Sequence, residues 1–459
     1  MNSQNGKGNS QLTLCQRLFS IRRKKTPFCF QLWALLHKNG VTKFMCACDF
    51  LIQNLFIQNL VLTNRNKNMP ARWEGIRNDF PITEKYVYLA NAAIAPIPIP
   101  VYNELSKFYS EALNYGGTFW NEWAIKVEET RDLYAKFIGA DNGDEIAFTH
   151  STSEGMNIIA HMLSDKGIVI SNELEFPSSN LPWLNKNTEN IKFVKAKDGN
   201  KILIEDISKA IDKESNNVNT KKPKTVITSH VQYSTGFRQD LEKLGKLTKQ
   251  KGLYFVVNPT QSLGALAFNV KDFGVDFMAS NGHKWILSSF GIGAIYIKKK
   301  YFVNLENFKP PFFSQSGQKR KENFDNNMKL NISHTASRFE IGTPHFPNII
   351  ALNVAIKYIS RISIKQIERR ILDITDYLID KLQSLNLEIL SPLEDEKYRS
   401  GIIVFKPKKR RPIDIVTELE KRNKIIVSAR GKGIRVSPHF YNNEDDIDKL
   451  VSILKDYSR

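Results

Sequence analysis

Cysteine is scarce in this chain of 459 residues, and none follows Cys48. The four cysteines lie in the first 68 residues, at Cys15, Cys29, Cys46 and Cys48. The rest of the chain can therefore form neither disulfides nor thiolate-based zinc sites. A single residue separates Cys46 from Cys48, which is the wrong spacing for a CxxC redox pair. We expect a protein of a reducing, cytoplasmic compartment without a metal centre.

Long apolar runs are also lacking. The stretch that comes nearest to one, residues 44–62, is interrupted by five polar side chains, those of Asp49, Gln53, Asn54, Gln58 and Asn59. A membrane-spanning helix needs about 20 mostly apolar residues. We therefore expect no membrane span.

Acidic residues are nearly absent from the first 68 residues, which contain ten lysines and arginines and, as the one acid, Asp49. We interpret residues 1–68 as an extension outside the fold, with a targeting sequence as the alternative. The whole chain has 66 basic and 47 acidic residues and a net charge of +19. After residue 68 no basic cluster is interleaved with aromatics, as nucleic-acid binding would require. We expect no specific nucleic-acid partner, although binding of polyanions by the basic extension stays open.

Short apolar runs alternate with helical patterns over much of the chain. A Pro-rich entry that cannot be helix interior precedes the helical spacing of Val101, Leu105, Phe108 and Ala112. Helical patterns also occur at residues 154–163 and 239–251, and apolar runs at 145–149, 167–170, 225–229, 253–257, 276–279 and 293–297. This alternation predicts an α/β fold whose mostly parallel sheet is flanked by helices.

The pattern changes after about residue 345. We predict long helices near 348–361 and 365–384, short strands near 401–405, 424–428 and 433–437, and a final helix from about 444. The prediction is a large domain over residues 69–340 and a smaller C-terminal α/β domain over residues 341–459. Residues 69–90 could pack on the smaller domain.

Polar residues cluster at the ends of five predicted strands, where ligands of open parallel sheets bind. These clusters are residues 148–154, 172–180, 229–236, 258–264 and 280–285. The first opens a helix and could hold a phosphate, although Ser and Thr are also ordinary helix caps. In the second, Phe176 could lie over a planar ring or belong to the core. The third and fourth could equally be turn-forming loops.

The fifth cluster contains Lys284. A lysine can attack a carbonyl group and form a Schiff base if burial and neighbouring cations lower its pKa. Most lysines are surface charges, but Lys284 has particular neighbours. Gly282 lets the backbone approach a ligand, His283 offers a donor to an anion, and Trp285 supplies packing.

Seven short motifs occur in an order that resembles the class-V aminotransferase family of pyridoxal-phosphate enzymes. That family includes cysteine desulfurases, kynureninases and isopenicillin N epimerase-like proteins. The resemblance covers about residues 70–459. The motifs are Thr-Ser-Glu at 152–154, Glu-Phe-Pro-Ser at 175–178 with Pro-Trp at 182–183, Ser-His-Val at 229–231 with Thr-Gly at 235–236, Asn-Pro-Thr-Gln-Ser-Leu-Gly-Ala at 258–265, Gly-His-Lys-Trp at 282–285, Arg-Phe-Glu-Ile-Gly-Thr-Pro at 338–344 and Arg-Val-Ser-Pro-His-Phe-Tyr-Asn at 435–442.

The resemblance implies a fold-type-I homodimer that binds pyridoxal phosphate between its domains. Lys284 would form the Schiff base with the cofactor and move a proton during the reaction. The phosphate would be bound by Thr152, Ser153 and His283, with Asn281 at a position where relatives often have Ser. Phe176 would stack on the pyridine ring, Asn258 would face the ring nitrogen, and Gln261 would contact the phenolic oxygen. Arg435, assisted by Arg430, would bind the substrate carboxylate.

Three positions depart from the family pattern. Asn258 stands where the family usually has an aspartate that keeps the pyridine nitrogen protonated, so we predict a weaker electron sink. The cysteine that accepts sulfur in desulfurases has no counterpart after Cys48. Tyr233 occupies the place of a substrate-contacting asparagine of desulfurases. The second and third departures argue against the usual desulfurase route.

The prediction for the reaction is transamination of an α-amino acid. The alternatives are desulfuration, another lyase reaction or epimerisation on the same cofactor. A pyridoxal-phosphate-binding protein with little catalytic activity is a further alternative, because of Asn258.

Overall fold

A computed structural model describes residues 73–301 and 333–458, with side chains up to residue 455. The interpretation of residues 1–68 lies outside the described residues. The described helices are α1 (Trp73–Arg77), α2 (Ile99–Tyr115), α3 (Trp120–Ile138), α4 (Thr152–Leu163), α5 (Pro177–Lys186), α6 (Ile204–Asn216), α7 (Leu241–Gln250), α8 (Phe346–Ile362), α9 (Ile364–Ser384), α10 (Pro412–Asn423) and α11 (Glu444–Ser458).

The described strands form three sheets. They are β1 (Val87–Tyr88), β2 (Ile146–Thr149), β3 (Ile168–Asn172), β4 (Ile191–Val194), β5 (Pro223–Ser229), β6 (Tyr254–Asn258), β7 (Phe277–Asn281), β8 (Gly293–Ile297), β9 (Glu388–Ile389), β10 (Ile403–Lys406), β11 (Ile425–Ile426), β12 (Ser428–Arg430) and β13 (Gly433–Val436).

The largest sheet has seven strands in the order β2-β8-β7-β6-β5-β3-β4. The neighbours from β7 to β4 are all parallel, whereas β8 is antiparallel to both β7 and β2. The prediction of a mostly parallel sheet flanked by helices is confirmed. All six strands predicted between residues 145 and 297 are present, with bounds that differ by two residues or fewer.

Both faces of this sheet are buried, because successive side chains of a strand point to opposite sides. Val226 and Val257 belong to the larger apolar core, whereas Ile227 and Val256 pack into a second core that includes side chains of α4. Strands covered on both faces consist of continuous apolar runs. That is why these runs could be located from the sequence.

A second sheet of four strands, in the order β12-β13-β10-β9, is antiparallel throughout. Its side chains form a third core with α9 and α11. The short strand β1 pairs in parallel with β11, at Val87 with Ile425 and Tyr88 with Ile426, and Val87 and Leu89 lie in this third core. The domain division at residues 340 and 341 stays a prediction.

None of the helices within the described ranges combines the length and the apolar character that crossing a bilayer requires.

Candidate active site

One pocket at the carboxyl ends of the parallel strands brings together eight residues singled out from the sequence. They are Thr152, Ser153, Phe176, Asn258, Gln261, Asn281, His283 and Lys284. Its other lining residues are Ser151, Ser178, Ser229, Tyr233 and Thr260. Arg430 and Arg435 are not among the lining side chains and come from the second sheet. Parallel strands place their carboxyl ends at one edge, which explains how residues over 100 positions apart meet.

Lys284 follows β7 and is largely enclosed. Burial, followed by the charges of Arg435 and Arg430, lowers the pKa of its amine to about 8. Its Nζ lies 5.7 Å from the ring centroid of Phe176. A lysine with such a pKa is a far better nucleophile at neutral pH than an exposed one, because a larger fraction is unprotonated.

Three hydroxyl side chains at the start of α4, those of Ser151, Thr152 and Ser153, have different roles. Ser151 caps the helix, since its Oγ accepts from the backbone N of Glu154 at 3.1 Å. Thr152 and Ser153 are therefore not needed as caps. Thr152 Oγ1 lies 2.8 Å from Thr260 Oγ1 across the pocket. The first-turn amides of a helix have no intrahelical acceptor, so this end of the pocket suits an anion.

Two polar atoms beside Lys284 are buried without a hydrogen-bond partner among the described residues, Asn281 Oδ1 and His283 Nδ1. Burial and the charge of Lys284 lower the pKa of His283 to about 4. The imidazole is therefore neutral at physiological pH and carries one N–H. Buried polar atoms are nearly always paired in proteins. Their presence here indicates a ligand with polar groups.

Phe176 precedes α5 and projects into the pocket. Its side chain is 43% exposed and its ring meets that of Tyr233 edge to face, with centroids 5.1 Å apart. An aromatic side chain left exposed beside a buried lysine favours the ring-stacking interpretation over the core interpretation.

The carboxamide of Asn258 is held at both ends. Nδ2 donates to Ser179 Oγ at 3.0 Å, and Oδ1 accepts from the backbone N of Thr260 at 3.1 Å. These contacts fix the side chain at the end of β6. The second N–H of the amide has no acceptor within the described part of the chain and is available to a ligand atom.

Arg435 is buried in β13 with only part of its guanidinium paired. Nη1 donates to the backbone O of Tyr233 at 3.0 Å, while Nε and Nη2 are buried without a partner among the described residues. Burial and the charge of Arg430 lower the pKa of Arg435 to about 9, so it remains a cation at neutral pH. A buried cation with two free donors is well suited to a carboxylate.

Sequence reasoning missed two functional candidates. Thr260, between Asn258 and Gln261, lines the pocket, and its hydroxyl faces Thr152. Glu175 is a buried carboxylate next to Phe176 and accepts from Ser229, Gln232 and Asn172. A charged residue just after a predicted buried strand was the signal that could have identified Glu175.

Comparison with known proteins identifies the family of the chain. The family model of class-V aminotransferases matches residues 87–450. A probable cysteine desulfurase of Borreliella burgdorferi is 31% identical over 420 residues, which cover 83% of this chain and 95% of the relative. A probable cysteine desulfurase of Pyrococcus abyssi is 28% identical over 406 residues, which cover 83% of this chain and 97% of the relative.

Solved structures give the same result. The apo structure of a cysteine desulfurase from Thermococcus onnurineus has a TM-score of 0.75 and 27% identity. The match covers 84% of this chain and 99% of that one. The chain belongs to the class-V aminotransferase family of pyridoxal-phosphate-dependent, fold-type-I enzymes.

Proposed function

We propose that this enzyme holds pyridoxal phosphate at Lys284 and removes the sulfur of cysteine or a close analogue, passing it to an external thiol. The observation that carries the site is the enclosed amine of Lys284, which lines the pocket 5.7 Å from the ring centroid of Phe176 and has a pKa lowered to about 8 by burial and by the charges of Arg435 and Arg430. The choice of reaction follows the relatives from Pyrococcus abyssi and Borreliella burgdorferi, both named probable cysteine desulfurases. They favour desulfuration over the transamination that we predicted from the sequence.

The pocket has groups that fit each part of the cofactor. The unpaired atom of His283 and the start of α4 suit a phosphate. The exposed ring of Phe176 suits an aromatic heterocycle, and Lys284 suits an aldehyde carbon. Bound pyridoxal phosphate would act as an electron sink for bonds to the substrate's α-carbon.

The chain's own residues would orient the substrate and move protons. Arg435 would bind the carboxylate of the amino acid through Nε and Nη2, which have no partner among the described residues, and the positive charge of Arg430 would add to the attraction. Lys284 Nζ would take and return a proton, because a pKa of about 8 makes both of its protonation states accessible near neutral pH.

The sulfur acceptor must be supplied from outside residues 69–459, since no cysteine follows Cys48. In balanced form, cysteine and a thiol give alanine and the persulfide of that thiol. The carbon–sulfur bond breaks, the sulfur is transferred, and a proton replaces it on carbon. This route requires no cysteine of the enzyme.

Product analysis tests the proposal. The full chain with pyridoxal phosphate is incubated with L-cysteine and dithiothreitol, and alanine, sulfide, pyruvate and ammonia are measured. We expect alanine and sulfide in equal amounts, including from a variant in which all four cysteines are replaced by serine. Lys284→Ala should abolish both products, and the exposed Lys249→Ala should not. Pyruvate with ammonia would show elimination instead, and amino transfer to a keto acid without sulfide would show transamination.

A further inference from the structure

The indole of Trp285, next to Lys284 in the chain, is hydrogen-bonded to Gln261 in the pocket. Trp285 is 1% exposed, and its Nε1 donates to Gln261 Oε1 at 2.9 Å. The other end of the same carboxamide, Nε2, donates to the backbone O of Ala92 at 2.9 Å. Gln261 is thus held between two fixed partners.

These two partners determine which way the carboxamide points. An indole N–H can only donate, and a backbone carbonyl can only accept. The oxygen of Gln261 must therefore face Trp285, and the nitrogen must face Ala92. The second N–H of Nε2 has no acceptor among the residues that the structure describes, and Gln261 lines the pocket. The amide consequently offers the pocket a donor.

Both the backbone and the indole of Trp285 have little freedom to move. His439 Nε2 lies 3.2 Å from the carbonyl oxygen of Trp285 and donates to it. A Cβ added at Gly401 would lie 2.7 Å from Cη2 of the indole, and one added at Gly264 would lie 2.2 Å from the Trp285 oxygen. Because Gly264 and Gly401 have no side chain, the chain at these two positions can pack closely against Trp285.

We propose that Trp285 is a positioning residue that fixes the carboxamide of Gln261 with its free N–H toward the phenolic oxygen of pyridoxal phosphate. Without the indole, Gln261 keeps its contact with the backbone O of Ala92, but its Oε1 loses the donor that held it, so the terminal torsion is less restrained. Rotation about this torsion would move the free N–H away from the phenolate, and a half-turn would bring the amide oxygen toward it and replace attraction with repulsion. The inference rests on a cofactor held at Lys284 and is independent of the substrate's identity.

The test is the pH titration of the visible absorption of the bound cofactor in Trp285→Phe. Loss of a donor to the anionic phenolic oxygen favours the protonated forms of the cofactor. The midpoint of the pH titration should therefore rise by roughly one pH unit. The dissociation constant of the cofactor should rise about tenfold. Trp183→Phe is the matched control. Trp183 is 2% exposed, and its Nε1 has no hydrogen-bond partner among the described residues, so the midpoint should not change.

A double variant separates orientation of Gln261 from packing. In a Gln261→Leu background, Trp285→Phe should cause no further shift of the midpoint. A shift of equal size in both backgrounds, or no shift in Trp285→Phe alone, would overturn the inference. If Trp285→Phe does not fold, Trp285 is replaced instead by a tryptophan analogue in which sulfur takes the place of the indole N–H. This analogue keeps the shape of the side chain but lacks the donor, and the same pH titration is measured. Wild-type enzyme without lysine-linked absorption would overturn the proposed function, and this inference with it.

Discussion

The carboxylate of Glu175 accepts two hydrogen bonds of 2.6 Å from Ser229, one from its backbone N and one from its hydroxyl. Gln232 and Asn172 donate to the same carboxylate at 2.7 and 3.1 Å. Glu175 therefore joins the ends of β3 and β5 directly beside Phe176.

Glu175→Gln should destabilise the protein, because an amide cannot accept from all of these donors. A hydrogen bond to a charged group contributes about 1.5–3 kcal/mol, and we expect the free energy of unfolding to fall by about 3 kcal/mol. Denaturant titration measures this change. Glu205→Gln, on the exposed side of α6, serves as the control and should change stability by less than about 0.5 kcal/mol. Equal effects of the two substitutions would contradict the role of Glu175.

Gly236 and Gly199 have similar positive φ angles, +75° and +71°, but different surroundings. A Cβ at Gly236 would lie 2.1 Å from the backbone O of Ile402, whereas one at Gly199 would have nothing within 4 Å. Gly199→Ala should therefore cost only the left-handed backbone penalty, about 1–2 kcal/mol. Gly236→Ala should cost several kcal/mol more. It should also displace the nearby backbone of Tyr233 and so weaken the hydrogen bond from Arg435 to the Tyr233 oxygen. Thermal unfolding of both variants checks this, and similar melting temperatures would be inconsistent with it.

The lowered pKa of Lys284 predicts a pH dependence of cofactor attachment. The amine reacts when neutral, so the rate at which the apo enzyme takes up pyridoxal phosphate should rise with pH and level off above about 8. An exposed lysine would continue to gain up to its ordinary pKa of 10.5. Arg430→Gln removes a neighbouring positive charge and should move the midpoint to higher pH. Stopped-flow absorbance gives the rates, and a midpoint near 10 in wild type would refute this prediction.

The lowered pKa of Lys284 also determines how the stability of the apo enzyme depends on pH. In the unfolded chain the lysine keeps its proton up to about its ordinary pKa, so the unfolded state binds more protons between pH 8 and 10.5. The buried amine of the apo enzyme is therefore destabilising below pH 8. This destabilisation disappears as the pH rises from about 8 to 10.5. The free energy of unfolding of the apo enzyme should therefore increase over this range, and Lys284→Met should show no such increase.

Asn258→Asp should fold well and react faster. Either carboxylate oxygen can accept from the backbone N of Thr260, and the Ser179 hydroxyl can rotate to donate. We expect stability within about 1 kcal/mol of wild type. A carboxylate would keep the pyridine nitrogen protonated, so exchange of the substrate's α-hydrogen with solvent should accelerate about tenfold. Deuterium incorporation measured by NMR decides this, with unchanged exchange as the contrary result.

Much of the fold could be predicted from the sequence, because the strands of a doubly covered sheet have a strong local signal. Ile295 and its neighbours form such a run, and β8 was placed correctly at residues 293–297. Its antiparallel direction could not be predicted, since direction depends on the path of the chain and not on composition. The edge strand β4 was missed because Lys192 interrupts its apolar pattern.

The candidate site could also be predicted only in part. Lys284 and Gln261 were found because each lies in a motif that follows a strand. The contact between the Trp285 indole and Gln261 could not be found, because it joins loops after β6 and β7 and depends on side-chain orientation. The same holds for the guanidinium of Arg435, which comes from a different sheet and has partners for only some of its donors among the described residues.

The stretch of chain from Val87 to Ala95 contacts several parts of the molecule in turn. It pairs with Ile425, its Ala92 oxygen accepts from Gln261, and its Ala95 backbone N donates to the carbonyl of His283 at 3.0 Å. A protease that cut this stretch, or a deletion that removed it, would release a strand and two pocket residues at once. Bound pyridoxal phosphate should accordingly slow digestion at these bonds, because cleavage there would forfeit the energy of cofactor binding.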